Sequence, residues 1–150
     1  MRVLSPRSFL LCLIASAFSY SAFAALGGDV TSIQADQAHM RAQRRVIQNA
    51  AYTVHEMKSE STTVVREFVS PDGKVFGISW RGPTRPDLQQ MLGNYYSEFA
   101  AARPTRRMHG PVTIRTQNLV IQSGGHMRAL TGRAYVPAMV PAEVRLEDIK

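Results

Sequence analysis

Pro71-Asp72-Gly73-Lys74 is the feature that most narrows the folds open to this chain. Proline presets its φ, aspartate bonds backbone two residues on, and glycine accepts a positive φ, so the four residues make a tight reversal. On either side run residues 62–70 (TTVVREFVS) and 75–80 (VFGISW), both rich in β-branched and aromatic side chains. The pattern predicts a β-hairpin across 71–74, and with it a sheet built by antiparallel pairing. Alternation along the second arm places Phe76, Ile78 and Trp80 on one face, with Val75, Gly77 and Ser79 on the other.

The remaining segments extend that sheet. Residues 51–57 (AYTVHEM) have strand character and are separated from the hairpin by a polar turn, Lys58-Ser59-Glu60-Ser61. Gly82-Pro83 ends the hairpin. Pro86 and Asp87 then open an amphipathic helix running to about Ala102, in which Leu88, Met91, Leu92, Tyr95, Tyr96 and Phe99 recur at spacings of three and four. Residues 103–111 form a loop. Residues 112–116, 118–123 and 126–136 read as strands, the last two joined by Gly124-Gly125, and Pro137 and Pro141 stop the sheet. Upstream, residues 25–31 form a flexible start, and Thr31 or Ser32 caps a weaker helix reaching about Arg45 with a thin apolar stripe. Residues 142–150 form a polar tail. The expected architecture is a single α+β domain over residues 25–150. It has a mainly antiparallel sheet of five to six strands, one amphipathic helix packed on it and a weaker N-terminal helix.

Residues 1–24 (MRVLSPRSFLLCLIASAFSYSAFA) have the three-part pattern of a signal peptide: Arg2 and Arg7, a short apolar run, and Ala22-Phe23-Ala24 before the expected cut. The apolar run is shorter than the roughly 20 residues of a spanning helix, so no membrane anchor is expected after cleavage. Cys12 leaves with this segment, and the mature chain would be cysteine-free, without disulfide or thiol chemistry. Removing Arg2 and Arg7 leaves 16 basic against 11 acidic residues, 13 of the bases being arginine. The expected location is the periplasm or the secreted medium.

Several blocks carry a family likeness: Val65-Arg66-Glu67-Phe68-Val69-Ser70-Pro71-Asp72-Gly73-Lys74-Val75-Phe76, running on to Gly82-Pro83 and Pro86-Asp87-Leu88, and Ser123-Gly124-Gly125-His126-Met127-Arg128, running on to Gly132-Arg133-Ala134-Tyr135 and Pro137. With Leu26-Gly27-Gly28 and Gln34-Ala35-Asp36, the chain resembles the secreted bacterial family catalogued as domain of unknown function 2844. The resemblance implies export and a single domain. It brings no catalytic residue to transfer.

Three kinds of chemistry suggest themselves. Three of four histidines adjoin a methionine (His39-Met40, Met108-His109, His126-Met127), and imidazole with thioether suits copper outside the cytoplasm. Because strand neighbours face opposite ways, His55 and Met57 form a better pair, with His126 a third candidate. A hydrolase would draw on Ser123 and His126 with Asp72 or Asp87, or on carboxylates among Glu56, Glu60 and Glu67, but no G-x-S-x-G elbow is present. Arginine clusters at Arg41, Arg44 and Arg45 and at Arg103, Arg106 and Arg107 suit a partner bearing carboxylate or phosphate, because the guanidinium binds such groups in a planar fork. Trp80, Arg81, Arg103, Arg106, Arg107 and Arg128 are the candidate binding surface, though the alignment of Trp80 with Phe76 and Ile78 suits a core position better. We therefore read the domain as a non-catalytic binding or accessory domain of an envelope system. Its expected partner is an envelope protein or anionic envelope component, not nucleic acid, and no cofactor is expected. A copper-binding protein is the second reading and a hydrolase the third.

Overall fold

The computed structural model describes residues 26–105 and 110–150. The expected signal segment and its cut lie outside the described residues. So do Arg106, Arg107, Met108 and His109.

The hairpin forms where the turn chemistry places it. Strands β3 (Val64–Val69) and β4 (Val75–Gly82) pair antiparallel. At the turn Gly73 N–H donates to the Ser70 carbonyl and Ser70 N–H to the Lys74 carbonyl, both at 2.9 Å. Gly73 has φ +80°, a value an L side chain rarely adopts. Strands β1 (Gln43–Gln48) and β2 (Thr53–Lys58) add on one side of this hairpin. On the other lie β7 (Ala129–Tyr135), β6 (Val120–His126) and β5 (Val112–Arg115). The result is one antiparallel sheet in the order β1-β2-β3-β4-β7-β6-β5.

The sheet has seven strands, not five to six. The additional one is β1 (QRRVIQ), whose first three residues fall inside the helix expected to run to Arg45. It is an edge strand with only one neighbour, exposed at five of its six positions, so it carries little apolar alternation to announce it. The N-terminal helix is shorter than expected. Helix α1 spans Val30–His39, and its cap is Asp29, whose carboxylate accepts from Thr31 N and Ser32 N. Nor does it lie loosely on the surface: Ile33, Ser32 and Asp36 are buried against the sheet.

Residues 26–28 are not a flexible start. Leu26 is buried, its N–H donates to the Met91 carbonyl at 3.0 Å, and Gly27 and Gly28 bond to Val75 in both directions. The amphipathic segment after β4 covers the same face, but in two pieces. Helix α2 (Leu88–Leu92) is capped by Asp87, whose carboxylate accepts from Gln89 N and Gln90 N. A 3-10 turn at Gly93–Tyr95 then redirects the chain into α3 (Tyr96–Ala102). Met91, Leu92 and Phe99 join Ile33, Met57, Val65, Ile78, Trp80 and Ile121 in the core between helices and sheet.

A second, smaller core occupies the opposite face, where Val54, Phe68, Phe76, Val120 and Tyr135 meet Val144 and Ile149. Two expectations change here. Phe76 does not share a face with Ile78 and Trp80, because the register shifts by one residue between Phe68 and Val69 and the extra residue on β4 inverts the alternation. And residues 142–150 are not a loose polar tail, because Val144 and Ile149 anchor them on the sheet. Gly77 leaves the space into which Ile149 fits: a Cβ built there would come within 3.3 Å of Ile149 Cδ1. Ile149→Val is expected to lower the unfolding free energy by about 1 kcal/mol, read as a lower urea midpoint at unchanged slope.

The turn between β6 and β7 also moves. Gly124 and Gly125 lie inside β6, paired with Thr131 and Leu130, and the chain reverses at Met127 and Arg128.

Candidate functional site

The register sorts the helix-free face of the sheet into rows running across the strands. One row is apolar: Ile47 of β1 and Val54 of β2 lead to Phe68 and Gly77, and these lead to Tyr135 and Val120. The C-terminal segment covers this row. The next row is polar. It begins Arg45, Glu56, Arg66, Ser79 on β1 to β4 and continues Arg133, Gln122, Thr113 on β7, β6 and β5. One row further on, Arg81 of β4 pairs with Thr131 of β7.

These two rows floor a trough of about 1060 Å3, bounded on one side by Ile149 and Lys150. Next to the trough the Thr84 hydroxyl bonds those of Ser61 and Thr63 at 3.1 and 2.8 Å, tying the β2–β3 turn to the loop after β4. The strands have the right residues here for a simple reason. A face not covered by helices need not be apolar, and cross-strand neighbours of opposite charge stabilise each other.

Charge in the trough is mostly positive. Glu56 accepts from Arg45 Nη2 at 2.7 Å and from Arg66 Nε at 2.8 Å. The Arg66 guanidinium, with Arg45 beside it, holds the Glu56 carboxyl below its ordinary value. Arg66 Nη1 also donates to the Lys150 carbonyl at 2.7 Å. Arg133 donates to Gln122 Oε1 at 2.7 Å and to the Leu146 carbonyl at 2.5 Å. Arg66 and Arg133 therefore hold the C-terminal segment in place as well as lining the trough. Arg81 is exposed and makes no hydrogen bond or ion pair among the described residues. Such a surface can bind carboxylate or phosphate oxygens through guanidinium N–H groups, with hydroxyl and amide side chains between them.

A second polar cluster lies on the helix side and is closed. Asp36 of α1 and Glu67 of β3 are 0 % and 1 % exposed, with His55 of β2 buried nearby on the same face. Gln90 of α2 donates to Asp36 Oδ1 at 3.0 Å. Asp36 Oδ2, both Glu67 oxygens, His55 Nδ1 and Arg44 Nη1 are buried without partners. Two facing carboxyls in a low dielectric favour one shared proton, and burial pushes the Glu67 carboxyl well above its ordinary value. Burial likewise raises Asp36, while burial and the Arg44 charge keep His55 below its ordinary value. A single proton held between the two carboxyls would supply the donor that these oxygens otherwise lack.

The sequence candidates scatter across this frame. Arg81 lines the trough. The Trp80 ring belongs to the helix-side core, 2 % exposed and packed over Gly132. Arg103 ends α3 and Arg128 sits in the β6–β7 turn, and neither lines the trough. Arg106 and Arg107 lie outside the described residues. His55 and Met57 are buried together on the helix side, whereas His126 is exposed at the end of β6. Four strand steps separate β2 from β6, or about 19 Å at the usual ladder spacing. Among the described residues no group of three or more His, Cys, Asp or Glu could hold a metal ion.

Ser123 and His126 are three apart on β6, so their side chains point to opposite faces. Of their suggested partners, Asp72 accepts from the Ser70 hydroxyl in the hairpin turn and Asp87 caps α2. Glu56 and Glu67 also lie on opposite faces, so the sheet itself separates them. Arg66 and Arg133 were not singled out from the sequence, and Arg45 only as part of the Arg41, Arg44, Arg45 cluster. Their only signal was position parity with Glu56 and Ser79, which acquires meaning once the register is known.

A seven-stranded antiparallel α+β domain with an arginine-lined trough on its open face defines the class of protein. The chain belongs to the family described as Protein of unknown function (DUF2844), which it matches over residues 22–149. No curated protein and no solved structure matches it. Among the described residues no helix is long and apolar enough to cross a membrane.

Proposed function

We propose that this is an exported, non-catalytic binding domain of an envelope system that holds an anionic partner in the trough. The observation that carries this reading is the charge of the trough: Arg45, Arg66, Arg81 and Arg133 face a single carboxylate, Glu56, which also preorganises two of them. Preorganised guanidinium groups lose less side-chain freedom on binding than free surface arginines, so the face is better suited to a specific anion than its net charge alone implies. Export rests on the N-terminal pattern of residues 1–24.

Two measurements test the reading. Mass analysis of the protein recovered from an expressing bacterium should give a chain beginning at Ala25 in the envelope or medium; the full-length chain confined to the cytoplasm would overturn export. Binding of that mature chain to a purified anionic envelope fraction should weaken about tenfold in the Arg45→Gln/Arg81→Gln double variant, the effect of losing roughly 1.4 kcal/mol. Both side chains are exposed, so the variant should keep the wild-type melting profile. Equal retention of the two proteins would show that the trough is not the site.

A further inference from the structure

The arrangement of charge along the trough narrows the ligand. The polar row crosses all seven strands, six ladder steps, or about 29 Å at roughly 4.8 Å per strand. Over that length four arginines and Lys150 stand against one glutamate, a surplus of four positive charges or about one per 7 Å. Gln122, Thr113 and Thr131, all neutral side chains with hydrogen-bonding oxygens, occupy places between, while Ser79 is buried beneath them.

Different polyanions present charge at different densities. A nucleic-acid strand in a duplex carries one phosphate about every 3.4 Å, roughly twice as dense as the surplus charge here. An extended acidic peptide presents side chains on one face about every 6.7 Å and would bring its own backbone donors and acceptors, whereas the trough floor is sheet face, whose backbone groups are already paired in the ladders. An anionic bilayer is broad and flat and meets a concave trough only at its rims. A linear acidic glycan differs from all three. One carboxylate on every second sugar of an extended chain gives sparse charge, and the hydroxyls between the carboxylates need neutral partners.

We propose that the trough binds a linear acidic polysaccharide laid across the strands, with carboxylates on the arginines and sugar hydroxyls on the threonine and glutamine side chains. This rests on reading the trough as the anion site, and it adds the chemical class of the anion. Arg81 is the central contact. It stands on the middle strand of the sheet, one row from Arg66 and Arg133, and it has no partner among the described residues to give up.

The test is calorimetric titration of the mature chain with hyaluronan oligosaccharides, which carry one carboxylate on alternate sugars. Neutral dextran, polyphosphate and phosphatidylglycerol vesicles are titrated in parallel at the same ionic strength. The expected result is hyaluronan affinity that rises with oligosaccharide length and levels off once the chain spans the sheet. Dextran should not bind, and Arg81→Gln should weaken hyaluronan binding about tenfold with its melting temperature unchanged. Tighter binding of polyphosphate with no length plateau for hyaluronan would overturn the glycan inference and leave a general anion surface. Binding to vesicles without binding to oligosaccharides would overturn it in favour of a lipid surface. Failure to bind any of the anions at low ionic strength would overturn the anion-site reading as well.

Discussion

Gly132→Ala is expected to destabilise the protein by about 3 kcal/mol, the upper end of the range for overpacking a well-filled core. In a domain of this size that corresponds to a fall of about 10 °C in melting temperature. A Cβ built on Gly132 would lie 2.2 Å from Trp80 Cζ2 and 2.8 Å from the Gln122 carbonyl oxygen. The second obstacle is backbone of β6, held in the ladder, so the methyl cannot relax toward it. The first is the indole, itself wedged among Ile78, Val65 and the helices. A single methyl therefore forces either the ring or the β4–β7–β6 pairing to move. Trp80→Phe removes the ring atoms in the way, so Gly132→Ala should cost distinctly less in a Trp80→Phe background. That coupling is read from a double-mutant cycle of thermal unfolding. Additive effects would mean that the indole is not what excludes the methyl.

Glu67→Gln is the second large effect, and it stabilises. At pH 8 the variant should exceed the wild type by about 2 kcal/mol in urea unfolding, the scale of relieving one uncompensated buried polar group. At pH 4 the two should be nearly equal. The sign follows from the raised Glu67 carboxyl. Below the unfolded-state value of about 4.5 the side chain is protonated folded or unfolded, and the pair contributes its full stability. As pH rises, the unfolded chain releases the proton while the folded chain retains it, so the wild type loses stability until the folded form also ionises. A glutamine amide donates to Asp36 at every pH and removes that dependence. Gln90 on α2, Arg44 on β1 and His55 on β2 surround the site in both proteins, so the Arg44 and His55 charges largely cancel in the difference, whereas Asp36 exchanges the glutamate's proton for the glutamine's N–H. A constant difference from pH 4 to pH 8 would show that Glu67 is ionised in the fold and that no proton is shared.

The two effects mark different depths at which the sequence is readable. The 71–74 hairpin was legible because its turn chemistry is local and its arms alternate. The antiparallel sheet, the helical segment before residue 103 and the core position open to Trp80 follow from patterns within a few residues. The Phe76 bulge was not legible, since one extra residue inverts the alternation only where a partner strand demands it. Strand β1 escaped notice because an edge strand with an exposed outer side needs no apolar pattern. The break at Gly93–Tyr95 escaped because the apolar spacing continues through it, so periodicity alone cannot separate α2 from α3.

The candidate site was legible only in its ingredients. An excess of arginine pointed to an anionic partner, and Arg81 was named, with Arg45 inside a cluster, yet Arg66 and Arg133 were not. Arg45 and Arg133 are 88 positions apart and share a row only because five strands pair in one register. Asp36 and Glu67, on a helix and a strand, meet only once α1 docks on the sheet. Amino-acid order by itself determined the local reversals, the strand and helix propensities and the basic surface, because these depend on covalent neighbours and on composition. Tertiary structure alone decided which side chains share a face, which charges stand next to one another and which acid is kept from water. Those outcomes depend on strand register and on what covers each face, and neither is a property of any one segment.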